Sequence, residues 1–306
     1  MVRRRRAPDK GDTSRCRCPL AAHLQPGPPD GAYNARMPSR VKTPVSIARL
    51  GRVDYESTAE LQRSLRAARE AGAMGDTLLL LEHDPVITCG RVTEAHEIAF
   101  ARTTDIPVVP VERGGKATYH GPRQVVAYPI FSLELVDGDV KELVHRLETA
   151  IIDALGAHGV ASTRRAGFPG VWVDVDQPRP RKIASLGLRL TGGVTFHGVA
   201  VNVGCDLTPF GWFTPCGIPD ADMTSVVREL GLERSSDEAV ERLVAGVAEA
   251  LEANIAREFE LEPGSTTIEE LETVAARFPL EAPELTLPGE PRVRTSHRTH
   301  RVTEPA

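Results

Sequence analysis

Two residues in this chain could do covalent chemistry, one as a thiol nucleophile and one as an amine of lowered basicity, and neither stands out alone. Cys216 lies in Thr214-Pro-Cys-Gly-Ile218, a turn rich in Pro and Gly ahead of a predicted helix over Thr224 to Leu230. A thiol near a helix N-terminus or a cation ionises more readily, and the thiolate is the nucleophile. Cys89 and Cys205 read instead as small buried hydrophobes. Lys182 sits in Arg181-Lys-Ile-Ala-Ser-Leu-Gly-Leu188. By itself it reads as a surface amine at the head of a strand. Held at the edge of a cleft, it would be desolvated and would give up its proton more easily. A free thiol titrates at ~8.5 and a lysine at ~10.4, so each, unperturbed, keeps its proton at neutral pH.

Two more stretches carry residues that a fold alone does not ask for. Arg113-Gly-Gly-Lys-Ala-Thr-Tyr-His-Gly-Pro122 combines paired glycines, which let backbone approach a ligand closely, with a polar and aromatic run. A solvated hairpin loop is the bland alternative. In Thr195-Phe-His-Gly-Val-Ala-Val-Asn202, His197 lies between apolar neighbours on a predicted strand, where a hydrogen-bonded structural histidine is the common outcome. Gly198 beside it points to close backbone approach.

The elements that must position these groups alternate along the chain. Val45 to Tyr55 reads as a strand, and Ser57-x-x-Glu60 as a capping box opening a helix with Leu61, Leu65 and Ala68 on one face. Strands are predicted over Asp76 to Ile87, Pro107 to Glu112 and Gln124 to Leu133. An amphipathic helix follows, with Val140, Leu143, Val144, Leu147 and Ile151 at helical spacing. Val171 to Val175, Ala184 to Leu190 and Val194 to Val203 read as strands, with Thr191-Gly192-Gly193 as a hairpin turn. A last helix starts at Ser235-x-x-Glu238. The order fits a mixed α/β or α+β domain with a largely antiparallel sheet and flanking helices.

Composition narrows the class. The chain of 306 residues is 41% hydrophobic and 26% charged, with a net charge of −5. That is ordinary for a globular protein and gives no electrostatic case for nucleic acid. No apolar run reaches bilayer length, and Arg3 to Arg6 are followed by PGPPD rather than an apolar signal region. Asp9 and Asp12 count against a transit peptide. Five cysteines, an odd and sparse set, suit a reducing compartment, and Cys16 and Cys18 lack partners at zinc spacing. Residues 1–44 are expected to be a disordered extension, with Met37 a candidate start. Residues 45–262 form the expected catalytic domain, and 263–306 a tail, largely disordered from about 279.

Taken in order, R-G-G-K-A-T-Y-H-G-P, K-I-A-S-L-G-L, T-F-H-G-V-A-V-N-V and P-C-G-I followed by M-T-S resemble the lipoyl(octanoyl) transferases, as does L-L-L-L-E-H-D-P-V at Leu78 to Val86. The resemblance runs from about Ile47 to Ile255. It implies a fold like the biotin and lipoate ligases, no metal or cofactor, and a monomeric cytoplasmic enzyme. It implies transfer of octanoyl from acyl carrier protein, through a thioester on Cys216 with Lys182 as its partner, to a lysine of a lipoyl domain. Such domains occur in 2-oxoacid dehydrogenase E2 subunits and in the glycine cleavage H protein. The implied pocket comprises Arg113, Gly114, Gly115, Lys116, Ala117, Thr118, Tyr119 and His120, with Ser185, Leu186 and Gly187 and with His197, Gly198 and Val199. One departure is visible: the family usually has G-P-G-Q after the histidine, and this chain has Gly121-Pro122-Arg123-Gln124. An ATP-dependent ligase on a similar fold would need the lysine but no nucleophilic cysteine, and a non-catalytic carrier-binding module would need neither.

Overall fold

Residues 42–214, 220–280 and 282–290 are described by a computed structural model. Among the described residues twelve strands and five α-helices follow one another: β1 (Thr43–Val53), α1 (Tyr55–Glu70), β2 (Asp76–His83), β3 (Val86–Cys89), β4 (Val108–Pro110), β5 (Thr118–His120), β6 (Gln124–Ile130), α2 (Val140–Ala157), β7 (Thr163–Arg165), β8 (Phe168–Val173), β9 (Arg181–Thr191), β10 (Val194–Asn202), β11 (Asp222–Met223), α3 (Val226–Glu229), α4 (Asp237–Glu258), β12 (Leu261–Ser265) and α5 (Ile268–Ala275). The large sheet has the order β12-β1-β2-β6-β10-β9-β8-β7, with β11 beside β9, and a smaller one runs β4-β3-β5. Pairing is parallel from β12 to β2 and antiparallel from β2 through β7, the mixed and largely antiparallel sheet expected from the sequence.

Helices cover both faces. Leu143, Leu147 and Ile151 recur every four residues along α2, are fully buried, and pack with Val247 and Leu251 of α4 onto Leu78, Val125 and Val201. On the other face Leu65 of α1 and Leu271 of α5 meet Leu79, Tyr128 and Phe196. The β9–β10 hairpin turns through Gly192 and Gly193, both at positive φ, which a side chain would resist. No helix among the described residues is long and apolar enough to cross a membrane.

Boundaries differ from the sequence reading at several elements, three of them for a clear local reason. First, α1 begins at Tyr55 rather than Ser57, because the Asp54 carboxylate accepts the Ser57 N–H at 2.9 Å and takes the capping position. Second, the run from Asp76 to Ile87 is two strands. Pro85 has no N–H and restricts Asp84, and there the chain leaves the large sheet for the small one. Third, Thr118–His120, read as loop, is β5, paired with β3. Beyond residue 262, β12 continues beside β1, and α5 opens on a Thr267/Glu270 capping box. Farther on, Leu287 packs beside Phe210 and Phe213, and Arg102 reaches Glu290 at 2.8 Å.

Candidate active site

β8 pairs with β9 only between Arg181 and Ala184, so the edge of β9 from Ser185 onward is free of it. The Arg113–Lys116 loop docks there, with the Gly114 N–H donating to the Leu188 carbonyl at 3.2 Å. Arg113 builds that loop from within. Its Nη1 donates to the carbonyls of Gly114 and Lys116 at 3.0 and 2.8 Å, and its Nη2 to the Thr88 carbonyl and hydroxyl at 2.9 and 2.8 Å. Such a fork fixes four acceptors at once, which no other side chain does. Beside loop and edge lies a cavity of about 550 Å³.

Lys182 lines this cavity and is only 4% exposed, the reverse of the surface amine it reads as by itself. A bulge puts it there. Val171 pairs with Ala184 and Trp172 with Lys182, so Ile183 is an extra residue that buries with Ala184 against the α2/α4 layer. The lysine Nζ stands 5.1 Å from the Trp172 ring centroid, and the Arg165 guanidinium lies 5.0 Å from the same ring. Gly170 supplies the remaining room. A Cβ at this residue, whose φ is +113°, would come within 2.7 Å of Lys182 Cε and 2.4 Å of the Ala184 carbonyl oxygen. Glu148 of α2 holds Gly170 by accepting its N–H at 2.8 Å, while its other oxygen binds Arg164 at 3.1 Å.

A second wall is built from Tyr55, His120, Tyr128 and His197, with His83 packed behind it. The His83 Nδ1–H donates to the Val53 carbonyl at 3.0 Å, which leaves Nε2 to accept from the Tyr128 hydroxyl at 2.7 Å. Gln124 assigns the tautomer of His120. The Gln124 amide nitrogen donates to the Tyr119 carbonyl at 3.1 Å and to Asn202 Oδ1 at 2.9 Å, so its oxygen accepts from His120 Nδ1–H at 2.8 Å. The chain of bonds goes on: Asn202 Nδ2 donates to the Thr224 carbonyl at 3.0 Å, and the Thr224 N–H donates to the Lys182 carbonyl at 2.9 Å. Burial drives the pKa of His83 down to about 4 and of His197 to about 3, the latter helped by Arg113. It also carries His120 well below the usual imidazole range, with His83 and Arg113 acting in the same direction. Burial likewise pushes the Tyr55 phenol up to about 12. The wall is neutral at pH 7.

His197 is the most strained of these residues. Its φ of +57° interrupts the alternation of β10, so Phe196 and His197 lie on one face with rings stacked 4.8 Å apart. Pro129 opposite has no N–H to offer. Thr195 bridges the gap by donating to the Pro129 carbonyl at 2.7 Å and accepting the Phe131 N–H at 3.1 Å. Gln62 of α1 accepts the His197 N–H at 2.7 Å. At Gly198 any Cβ would fall 2.1 Å from the Ala127 carbonyl oxygen.

Of the pocket expected from sequence, Arg113, Gly114, Gly115, Lys116, Thr118 and His120 line the cavity, as do Ser185, Leu186 and Gly187 and also His197, Gly198 and Val199. Ala117 and Tyr119 do not. Strand alternation turns them to the other side of β5, against Ile87 and Phe210, with the Tyr119 and Phe210 rings 5.6 Å apart. They support the wall rather than form it. Lys116 reaches the cavity, but its amine pairs with Glu97 at 2.5 Å. Cys216 lies outside the described residues. Tyr55, Tyr128, Val140, Val144 and Phe168 line the cavity without having been expected there. The apolar spacing that marks Val140 and Val144 as core also fits a helix lending its first turns to a groove. Arg123, the departure in the Gly-Pro-Arg-Gln run, sits at φ +64°; its N–H bonds Glu82 at 2.6 Å and its guanidinium reaches Asp237 and Glu241, each at 2.8 Å.

The pattern of the lipoyl protein ligase A/B catalytic domain matches residues 54–248. The chain is 46% identical over 214 residues to a protein named octanoyltransferase from Mycolicibacterium smegmatis, covering 70% of this chain and 92% of that one. It is 46% identical over 205 residues to an octanoyltransferase of Thiobacillus denitrificans, covering 67% and 90%. Among solved structures it resembles a bi-partite lipoate protein ligase from Thermoplasma acidophilum, described with its E2 lipoyl domain, at a TM-score of 0.55 and 17% identity over 77% of this chain and 91% of that one. A lipoate-protein ligase A bound with ATP gives 0.52 and 16%, over 77% and 93%. The two ligases share the fold; the two transferases share the sequence as well.

Proposed function

From a chain that belongs to the lipoyl(octanoyl) transferase family and is an acyltransferase moving octanoyl groups in lipoate biosynthesis, we infer an enzyme that takes octanoyl from acyl carrier protein. It holds the group as a Cys216 thioester and passes it to a lipoyl-domain lysine. The observation that carries this reading is the setting of Lys182. The amine-bearing residue is buried at the cavity, and the chain described after the Cys216 segment pairs with it at once, Met223 opposite Lys182.

The cycle then closes in protons and bonds. The Cys216 thiolate, with Lys182 as its ammonium counterion, attacks the donor thioester carbonyl. The donor C–S bond breaks, the carrier thiolate leaves, and Lys182 protonates it. Lys182 is now a neutral amine. When the acceptor lysine, entering as a neutral amine, attacks the acyl-enzyme, Lys182 takes its proton as the amide forms and the Cys216 thiolate departs. Thioester exchange keeps the acyl group activated, so no ATP is consumed. The Gly114–Gly115 amides and those around Cys216 and Gly217 are the candidate donors to the tetrahedral oxyanions. E2 lipoyl domains and the glycine cleavage H protein are the acceptors, served by a cytoplasmic monomer. His120, neutral and with its proton on Nδ1, positions substrate and leaves base catalysis to Lys182.

Intact-mass measurement after mixing with octanoyl-acyl carrier protein tests this. An octanoyl adduct is expected in the native chain and none in Cys216→Ser. Transfer to a lipoyl domain without ATP is expected to follow. Octanoyl transfer that proceeds with no adduct at Cys216 would sink the covalent route.

A further inference from the structure

Among the polar groups that line the cavity, the ring of His197 stands apart. The side chain is 2% exposed, lines the cavity, and neither of its ring nitrogens has a hydrogen-bond partner among the described residues. Buried polar atoms without partners are uncommon, and a backbone strained to hold one marks a functional position more often than chance. His197 combines both. Its positive φ carries the ring off the face that alternation would give it and onto the Tyr128 side, where the two rings meet edge to face at 6.4 Å.

Its distance from the reaction centre says which part of a substrate it meets. His197 pairs with Leu188, and Leu188 lies six residues along β9 from Lys182. At roughly 3.3 Å per residue the two backbone positions are about 20 Å apart. Lysine side chain, thioester and an extended medium-length acyl chain share that span, so His197 faces the end of the chain remote from the carbonyl. Leu186 and Val199 line the stretch between. The imidazole is neutral and so offers one donor and one acceptor, and a hydroxyl can accept from the first or donate to the second.

We propose that His197 forms a polar subsite at the end of the acyl cavity remote from Lys182 and that the enzyme also transfers medium-chain acyl groups carrying a hydroxyl at or beside the terminal carbon. The proposal rests on the octanoyl-transfer reading above. The terminal hydroxyl takes no part in bond making; it replaces the missing partner of the His197 ring.

The test compares octanoyl and 8-hydroxyoctanoyl thioesters of acyl carrier protein, taking the ratio of their kcat/KM values within each enzyme preparation. An apolar pocket disfavours an added hydroxyl by roughly 100-fold, whereas a pocket with a hydrogen-bonding partner does not. Wild type is expected to use the two donors at a ratio near one. His197→Phe should shift the ratio roughly 100-fold toward octanoyl. His197→Gly, which suits the positive φ and removes both nitrogens, should move it the same way and guards against a folding defect in the first variant. A ratio that is the same in all three enzymes, or a wild type that already rejects the hydroxylated donor roughly 100-fold, overturns the proposal while octanoyl transfer stands. Absence of transfer from either donor in wild type would instead sink the octanoyl-transfer reading, and this inference with it.

Discussion

Acidification from about pH 7.5 to about pH 5 should cost this protein much of its stability, through the buried histidines. Burial holds His83 at about 4 and His197 at about 3, whereas an unfolded histidine titrates at ~6.5. A base depressed in the folded state is protonated first in the unfolded one. Its contribution is therefore whole above the unfolded value and is lost as the pH falls toward the folded value. At about pH 5, roughly 1.5 units below the unfolded value, each of these two residues costs about 2 kcal/mol at about 1.4 kcal/mol per unit. His120, displaced the same way, adds to the loss. Two residues thus remove about 4 kcal/mol from a total that for a domain is about 5–15. Glu97 and Glu229, drawn below the usual carboxylate range by their partners, give up their share only at lower pH. Urea unfolding across the interval, in wild type and in His83→Gln, measures it. The variant should lose about 2 kcal/mol less over the same interval, whatever its stability at the start. Parallel losses would refute a neutral buried His83, and stability that grew toward about pH 5 would refute the whole wall.

Two substitutions probe the positioning of the reactive groups. Gly170→Ala forces a Cβ onto the Ala184 carbonyl and Lys182 Cε. It should cost about 1–3 kcal/mol in urea unfolding, and, since small misplacements near reacting groups cost about 100-fold, slow acyl-enzyme formation on that scale in the folded fraction by quenched intact mass. A folded variant that acylates at the native rate would contradict the notch. Arg113→Lys keeps the charge but cannot reach four acceptors; KM for the octanoyl donor should rise about tenfold or more, from the loss of about 1.5–3 kcal/mol in charged hydrogen bonds, and an unchanged KM would remove the arginine from loop building.

The alternation of apolar residues and the Gly-Gly turn made the sheet and its covering helices legible, because burial of one face leaves a periodic trace. The cavity was legible as a set of motifs but not as a side. Ala117 and Tyr119 share a run with Thr118 and His120, and only the pairing of β5 with β3 separates wall from support. Nor does the sequence announce the bulge at Ile183, which turns Lys182 into the cavity, since a bulge depends on the partner strand. Tyr55 was hidden by an equally good capping pattern two residues later. His197 reads as an ordinary core histidine because positive φ in a non-glycine residue leaves no mark on composition.

Arg123 has a consequence for the corner it occupies. A left-handed backbone disfavours an arginine by roughly 1–2 kcal/mol relative to glycine, and a glycine here would avoid that strain. Here the corner is instead lashed to the start of α4 through Asp237 and Glu241. Exposed pairs of this kind contribute about 0.2–1 kcal/mol each and weaken in salt. The balance between a relaxed corner and a tethered one thus becomes a function of ionic strength. In dilute buffer the arginine chain ties the head of β6 to α4, and at high salt the same corner is a sprung joint that glycine would serve better.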